Sequence, residues 1–203
     1  VDSETIEIFH NGCLLTTIKT QLAGIHNVYN TLAVVAALNE AGVELKKLAQ
    51  YFYPFTGMGR RFQKVCEFNG ITVYDDYAHH PTEIKAALQA AASKFGKENV
   101  VAVFQPHRFT RLQSLWKEFL TAFENAGRVI VTDVYAASED AIEGINGENF
   151  AAELSCEYVS GNMQDVARKL MPSLKKGDVV IGLGAGTITN LGKELCKLET
   201  ILR

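Results

Sequence analysis

The chain has 203 residues, 47% of them hydrophobic and 21% charged, with a formal net charge of -3. That supports one good core, or one domain plus part of another, and leaves no general basic field for nucleic acid. No apolar run approaches membrane-spanning length and no signal peptide opens the chain, so a cytoplasmic protein without membrane insertion is expected. The start at Val1, without Met, reads as a piece of a longer protein. The four cysteines, Cys13, Cys66, Cys156 and Cys196, are widely spaced and form no CxxC pair. Reduced core thiols are therefore expected, and no zinc site.

In chain order, residues 5–9 alternate, Asn11-Gly12 is a turn signal, and residues 13–20 alternate again, predicting a β-hairpin. Asn27 is placed to cap a helix with Val28, Leu32, Val35 and Ala36 on its apolar face, stopping near Gly42. A short helix follows, with Leu45, Leu48, Ala49 and Phe52 inward. Residues 54–59 hold a Pro, two Gly and no periodicity, which reads as a linker. The expected domains are 1–56 and 57–203. Beyond the linker, residues 62–68 and 71–74 predict a second hairpin around Asn69-Gly70, and Pro81 with Glu83 opens a helix ending at Gly96. Strands are expected at 100–104, 129–132, 156–159 and 179–183, and helices at 112–126, 150–154, 164–174 and 188–198. Strands alternating with helices predict an α/β fold: a Rossmann-like, mostly parallel sheet flanked by helices, preceded by a separate helical and β-hairpin segment.

Two strand ends concentrate ionisable side chains. Asp75-Asp76-Tyr77-Ala78-His79-His80-Pro81-Thr82-Glu83 follows one apolar run, and Gln105-Pro106-His107-Arg108-Phe109-Thr110-Arg111 follows another. Functional groups of open α/β sheets gather where strands end and helices begin, so a shared cleft is expected. Asp75 and Asp76 point to opposite faces if extended, so they do not share a proton; one facing a ribose hydroxyl fits. His79 and His80 lack a third metal ligand at a fitting spacing. Arg108 and Arg111 either fork onto a carboxylate or cover an acidic surface. Arg60 and Arg61 follow the linker, as solvated surface or as phosphate ligands at a hinge. His26, Asn27 and Asn30 either cap a helix or offer amide edges to a purine base. Gly182-Leu183-Gly184-Ala185-Gly186 reads as a tight strand-to-helix turn rather than a dinucleotide fingerprint, because no ribose-binding acid follows at the required distance.

Together, Gly24-Ile25-His26-Asn27 with Asn30, Gly59-Arg60-Arg61-Phe62-Gln63, residues 75–83 and 104–111, Asp133-Val134-Tyr135-Ala136 and Gly184-Ala185-Gly186 resemble the Mur ligases. Within them, the resemblance is to the branch that joins L-alanine to UDP-N-acetylmuramate. It implies an ATP-dependent amide synthesis through an acyl phosphate, in peptidoglycan precursor assembly. It implies His26, Asn27 and Asn30 on the adenine side, Arg61 and less directly Arg60 at the ATP phosphates, and Asp76 at the ribose. It implies Tyr77, His79, His107, Arg108 and Arg111 at the amino-acid substrate, with Arg61, His79 and Arg108 closest to catalysis.

The UDP-sugar-binding N-terminal domain, the GxxxxGK[ST] phosphate loop and the family's magnesium-holding acids and histidine find no counterpart in this chain. Residues 1–56 are thus expected to be the tail of a central ATP-binding domain and residues 57–203 the C-terminal domain. Mg2+ ligands are expected elsewhere, in the missing N-terminal and central domains of the same protein, and this chain alone is expected to be inactive. The rival readings are a recycling ligase that attaches a peptide to the same sugar, an NAD-binding domain, and an inert interaction module.

Overall fold

The computed structural model describes residues 4–22, 25–55 and 57–202, and internal contacts divide the chain into two units, Val1–Met58 and Gly59–Arg203. In the first, β1 (Glu4–His10) and β2 (Cys13–Thr20) form an antiparallel hairpin. Its turn holds Asn11 and Gly12 at φ 50° and 78°, the left-handed pair that matches strand twist. Ile6, Ile8 and Ile18 pack with Val35 of α1 (Ile25–Glu40) and Leu45 of α2 (Leu45–Leu48) in a small core. Two expectations fail here. Helix α1 begins before Asn27, so that residue is inside the helix rather than its cap. Among its described side chains Thr31 and Val35 are buried, while Leu32 is 44% exposed and Ala36 is also exposed. Val28 and Val35 face the hairpin as expected, while Thr31 and Leu38 complete that face in place of Leu32 and Ala36.

The second unit is built on a six-stranded sheet in the order β3-β4-β8-β5-β6-β7: β3 (Gln63–Phe68), β4 (Ile71–Asp76), β5 (Val100–Phe104), β6 (Arg128–Thr132), β7 (Glu157–Val159) and β8 (Val179–Leu183). Only β3 runs antiparallel to its neighbour. β5 and β8 are continuous apolar runs because both of their faces are covered, as in parallel sheets generally. One face packs Ala102, Phe104 and Ile181 with Ile84 and Leu88 of α3 (Pro81–Phe95), Leu112 of α4 (Phe109–Ser114), Phe119 of α5 (Trp116–Leu120) and Phe150 of α6 (Gly147–Leu154). The other packs Val101, Val103 and Val180 with Val166 and Leu170 of α7 (Met163–Leu170) and Leu191 and Leu195 of α8 (Leu191–Leu202). No described helix is long and apolar enough to cross a membrane.

The helix expected over 112–126 starts earlier and is broken. Leu115, at φ -115° and ψ 20°, separates α4 from α5, and residues 121–125 form turns. No Pro or Gly marks the break; packing of Trp116 edge-on against Phe150, with its indole N–H donating to Glu153, fixes the new direction. The helices expected over 164–174 and 188–198 each include a tighter turn, at Met171–Ser173 and Thr187–Asn190.

The thiol expectation is also corrected. Cys66 on edge strand β3 and Cys196 on α8 form a disulfide with Cα atoms 6.7 Å apart, and Cys13 is exposed rather than in the core. Only Cys156 remains as a partly buried thiol, pushed up to about 11 by burial. The bridge closes a loop across 130 positions, so reduction should destabilise the second unit by about 5 kcal/mol, mainly by freeing the unfolded chain. Thermal unfolding with and without reductant checks this; identical midpoints for the native chain and Cys196→Ser would count against it.

Candidate functional site

Three strands deliver the site at one level. The parallel register pairs Asp76 with Leu183 and Phe104 with Leu183, so the segments after β4, β5 and β8 leave the sheet side by side. Backbone and side-chain bonds then fix each segment.

After β4, the Tyr77 N–H donates to the Arg60 carbonyl at 2.6 Å. Asp76 accepts from the N–H groups of Phe62 (2.7 Å) and Ala78 (2.8 Å), and burial raises its carboxyl above the usual range despite those donors. Asp75 is buried and accepts from Arg60 Nε at 3.1 Å and Thr189 Oγ1 at 2.7 Å. His80 is the N-cap of α3: its Nδ1 accepts from the Thr82 N–H at 3.3 Å, and Glu83 reaches back to form a capping box. Glu83 Oε2 accepts from the N–H groups of His79 (3.0 Å) and His80 (3.2 Å) and lies 3.5 Å from His79 Nδ1. His79 Nδ1 is also 2.9 Å from the Tyr77 carbonyl.

After β5, the chain is anchored to the loop following β6: Tyr135 N–H donates to the Pro106 carbonyl and Arg108 N–H to the Tyr135 carbonyl. The His107 ring stacks on Tyr135 at 5.4 Å and lies 6.1 Å from the His79 ring. Arg111 Nη1 is 3.1 Å from His107 Nδ1. Guanidinium has no acceptor, so Nδ1 must accept and the His107 proton sits on Nε2. Burial, then the Arg111 charge, pushes the His107 pKa down, which keeps the ring neutral. Arg108 has φ 72°, a sterically costly backbone for a non-glycine residue, and its half-exposed guanidinium is 3.9 Å from Glu139. Glu139 accepts from the N–H and Oγ1 of Thr110, which with the Arg108 charge hold its carboxyl below the usual range.

After β8, the glycine turn is filled by the chain itself. Gln105 donates to Thr187 Oγ1 and accepts from the Ile188 N–H at 2.9 Å; a Cβ on Gly186 would lie 2.5 Å from Gln105 Oε1 and 2.6 Å from the Tyr135 ring. Arg60 Nη2 donates to the Gly184 carbonyl at 2.7 Å, and the guanidinium lies 5.0 Å from the Tyr77 ring. Gln105, Tyr135 and Arg60 therefore crowd the turn where a Gly-rich fingerprint would hold a dinucleotide pyrophosphate.

Tyr77, His79, His107, Arg108 and Arg111 thus gather at one place in the second unit. Arg61 is exposed, with no hydrogen bond or ion pair among the described residues, whereas Arg60 is committed to Asp75 and the glycine turn. In the first unit, Asn30 Nδ2 lies 3.5 Å from Asn27 Oδ1 one turn away. Gly24 and the His26 side chain lie outside the described residues. Tyr135, Glu139, Glu83 and Gln105 also shape the site. Glu83, Gln105 and Tyr135 lie in runs quoted from the sequence without a site role assigned to them, and Glu139 was not singled out; Tyr135 and Glu139 act through neighbours distant in the chain. Among the described residues, no three His, Cys, Asp or Glu side chains are grouped to hold a metal, so this part of the protein does not fit a magnesium ligand set.

A protein-family model described as "Mur ligase, glutamate ligase domain" matches residues 60–186. The UDP-N-acetylmuramate–L-alanine ligase of Caldicellulosiruptor bescii is 47% identical over 88% of this chain and 40% of its own length. That of Desulfotalea psychrophila is 41% identical over 96% of this chain and 43% of its length. The crystal structure of UDP-N-acetylmuramate-alanine ligase from Thermotoga maritima superposes with a TM-score of 0.74 at 27% identity, covering 99% of this chain and 44% of that one. The chain belongs to the Mur ligase family, and it spans about two-fifths of the length of the relatives it matches.

Proposed function

We propose that this chain is the acceptor-binding part of a cytoplasmic, ATP-dependent ligase that joins L-alanine to UDP-N-acetylmuramate in peptidoglycan precursor synthesis. Residues 1–56 would be the tail of the central ATP-binding domain and residues 57–203 the C-terminal domain. The observation that carries the reading is the convergence of His79, His107 and Arg108 from the ends of β4 and β5, the two strands that flank β8; the names of the relatives support the choice of acceptor.

ATP, bound with Mg2+ held elsewhere in the protein, supplies the phosphoryl group that turns the sugar carboxylate into an acyl phosphate. Arg61 meets the nucleotide phosphates with its exposed guanidinium, while Arg60 keeps the glycine turn in place. Asp76 meets the ribose with lone pairs left over by its two backbone donors. His26, Asn27 and Asn30 lie on the adenine side. Arg108 grips the alanine carboxylate as a planar fork, His107 adds its Nε2–H, and Arg111 sets that tautomer. Tyr77 lines the same cleft.

The test is phosphate release by the complete ligase with UDP-N-acetylmuramate, ATP and magnesium. Release that depends on L-alanine supports the assignment. Release with a peptide acceptor instead moves it to the recycling reaction. This chain alone is expected to give none, because it holds neither a phosphate loop nor a metal cluster among its described residues. Robust ligation by the chain alone would overturn the domain assignment.

A further inference from the structure

We propose that His79 is the proton acceptor for the attacking amine and that Glu83 is its positioning residue, an assignment that rests on the ligase reading above. The Tyr77 carbonyl can only accept, so His79 Nδ1, 2.9 Å away, carries a proton. In the neutral ring the lone pair is then on Nε2, which no described residue engages. His107 is the reverse: Arg111 obliges its Nδ1 to accept, so its Nε2 donates. Two imidazoles 6.1 Å apart therefore carry opposite tautomers, one presenting a base and the other a donor.

A carboxylate substrate group and an ammonium group call for that pair of functions. L-Alanine enters with a protonated amine, which has no lone pair for attack. His79 Nε2 takes one ammonium proton, and the freed nitrogen pair forms the bond to the acyl carbon. The bond from that carbon to the phosphate oxygen breaks; the departing phosphate takes that electron pair and the second nitrogen proton, leaving the neutral amide. Glu83, 3.5 Å from Nδ1, stabilises the imidazolium left behind, and its bonds to the N–H groups of His79 and His80 hold it there.

The charged and titratable groups around His79 are Glu83 on its own segment, the edge-on Tyr77 ring at 5.0 Å, and His107 with Arg111 and Arg108 behind it. Of these, Glu83 alone is an anion. It is also a helix cap, and Glu83→Gln separates the two roles: glutamine keeps the capping acceptor and loses the charge.

Long-range 1H–15N NMR of this chain should show the Nδ1–H tautomer for His79 and the Nε2–H tautomer for His107. Glu83→Gln should leave both tautomers and the circular dichroism spectrum unchanged, because glutamine keeps the capping acceptor. In the complete ligase, Glu83→Gln should lower kcat about tenfold and His79→Gln about 100-fold or more, with the KM for L-alanine nearly unchanged. An Nε2–H tautomer at His79, an unchanged kcat in Glu83→Gln, or a loss lying wholly in the alanine KM would overturn the proposal. A ligase that never turns over alanine would instead overturn the acceptor assignment, and the NMR readout would stand apart from it.

Discussion

Arg108→Gly in the complete ligase is expected to lower kcat/KM for L-alanine by about 100- to 1000-fold while leaving the fold as stable as before, or more so. Loss of a charged, forked partner for a carboxylate costs about 3–4 kcal/mol in a cleft, which sets the kinetic figure. The stability effect has the opposite sign because Arg108 sits at φ 72° and ψ 132°, a region that costs a side-chain-bearing residue about 1–3 kcal/mol. Glycine adopts it freely but loses about 0.5–1 kcal/mol in chain entropy, so a net gain of about 1 kcal/mol is expected. Arg108→Ala should lose the same activity without that gain. Arg108→Lys should also be poor, since it keeps the charge without the planar fork. Steady-state kinetics with alanine varied, alongside thermal melts, check both halves. An unchanged alanine KM in Arg108→Lys would remove the carboxylate-clamp role.

Gly184→Ala is expected to destabilise the second unit by about 4 kcal/mol, or about 10–15 °C in Tm. Two costs coincide there. Gly184 has φ 144°, and a Cβ would lie 2.7 Å from the Gln105 carbonyl oxygen, a backbone atom that cannot swing away. The turn is tied on both sides, by the Gly184 N–H to the Asp76 carbonyl and by Arg60 to the Gly184 carbonyl, so relief would disturb the segments carrying His79 and His107. Gly144→Ala is the control. It has φ 76° with nothing near its would-be Cβ, so only the conformational cost of about 1 kcal/mol applies. Equal melting shifts for the two variants would show that crowding at the turn is not the larger cost.

Where the local chain decides, the sequence could be read. Pro81, Glu83 and Gly96 bound α3 because capping and left-handed termination are local acts, and β5 and β8 announce themselves as unbroken apolar runs. The His- and Arg-bearing strand ends were visible for the same reason. What could not be read depends on partners distant in sequence. Arg60 and Arg61 are alike as residues, yet Arg60 turns inward to Asp75 and Gly184 while Arg61 stays exposed. Tyr135 matters because its ring lies against His107, and its own neighbours in sequence carry no sign of that. The Cys66–Cys196 bridge needs α8 to lie against β3, a pairing that periodicity does not encode. The face of α1 was legible at Val28 and Val35 but not at Thr31 and Leu38, because the hairpin chooses which flanking positions are covered.

The strand order has a consequence for how the molecule comes into being. β4 and β5, which carry the two histidine segments, do not touch each other in the ladder; β8 lies between them. His79 and His107 therefore cannot be brought to their working separation until residues 179–183 have emerged from the ribosome and inserted between two strands made much earlier. Parallel pairings of such long sequence separation are slow to close, and a nascent chain halted before β8 would expose two apolar strand edges. Synthesis must run almost to the end of the described chain before there is a cleft at all.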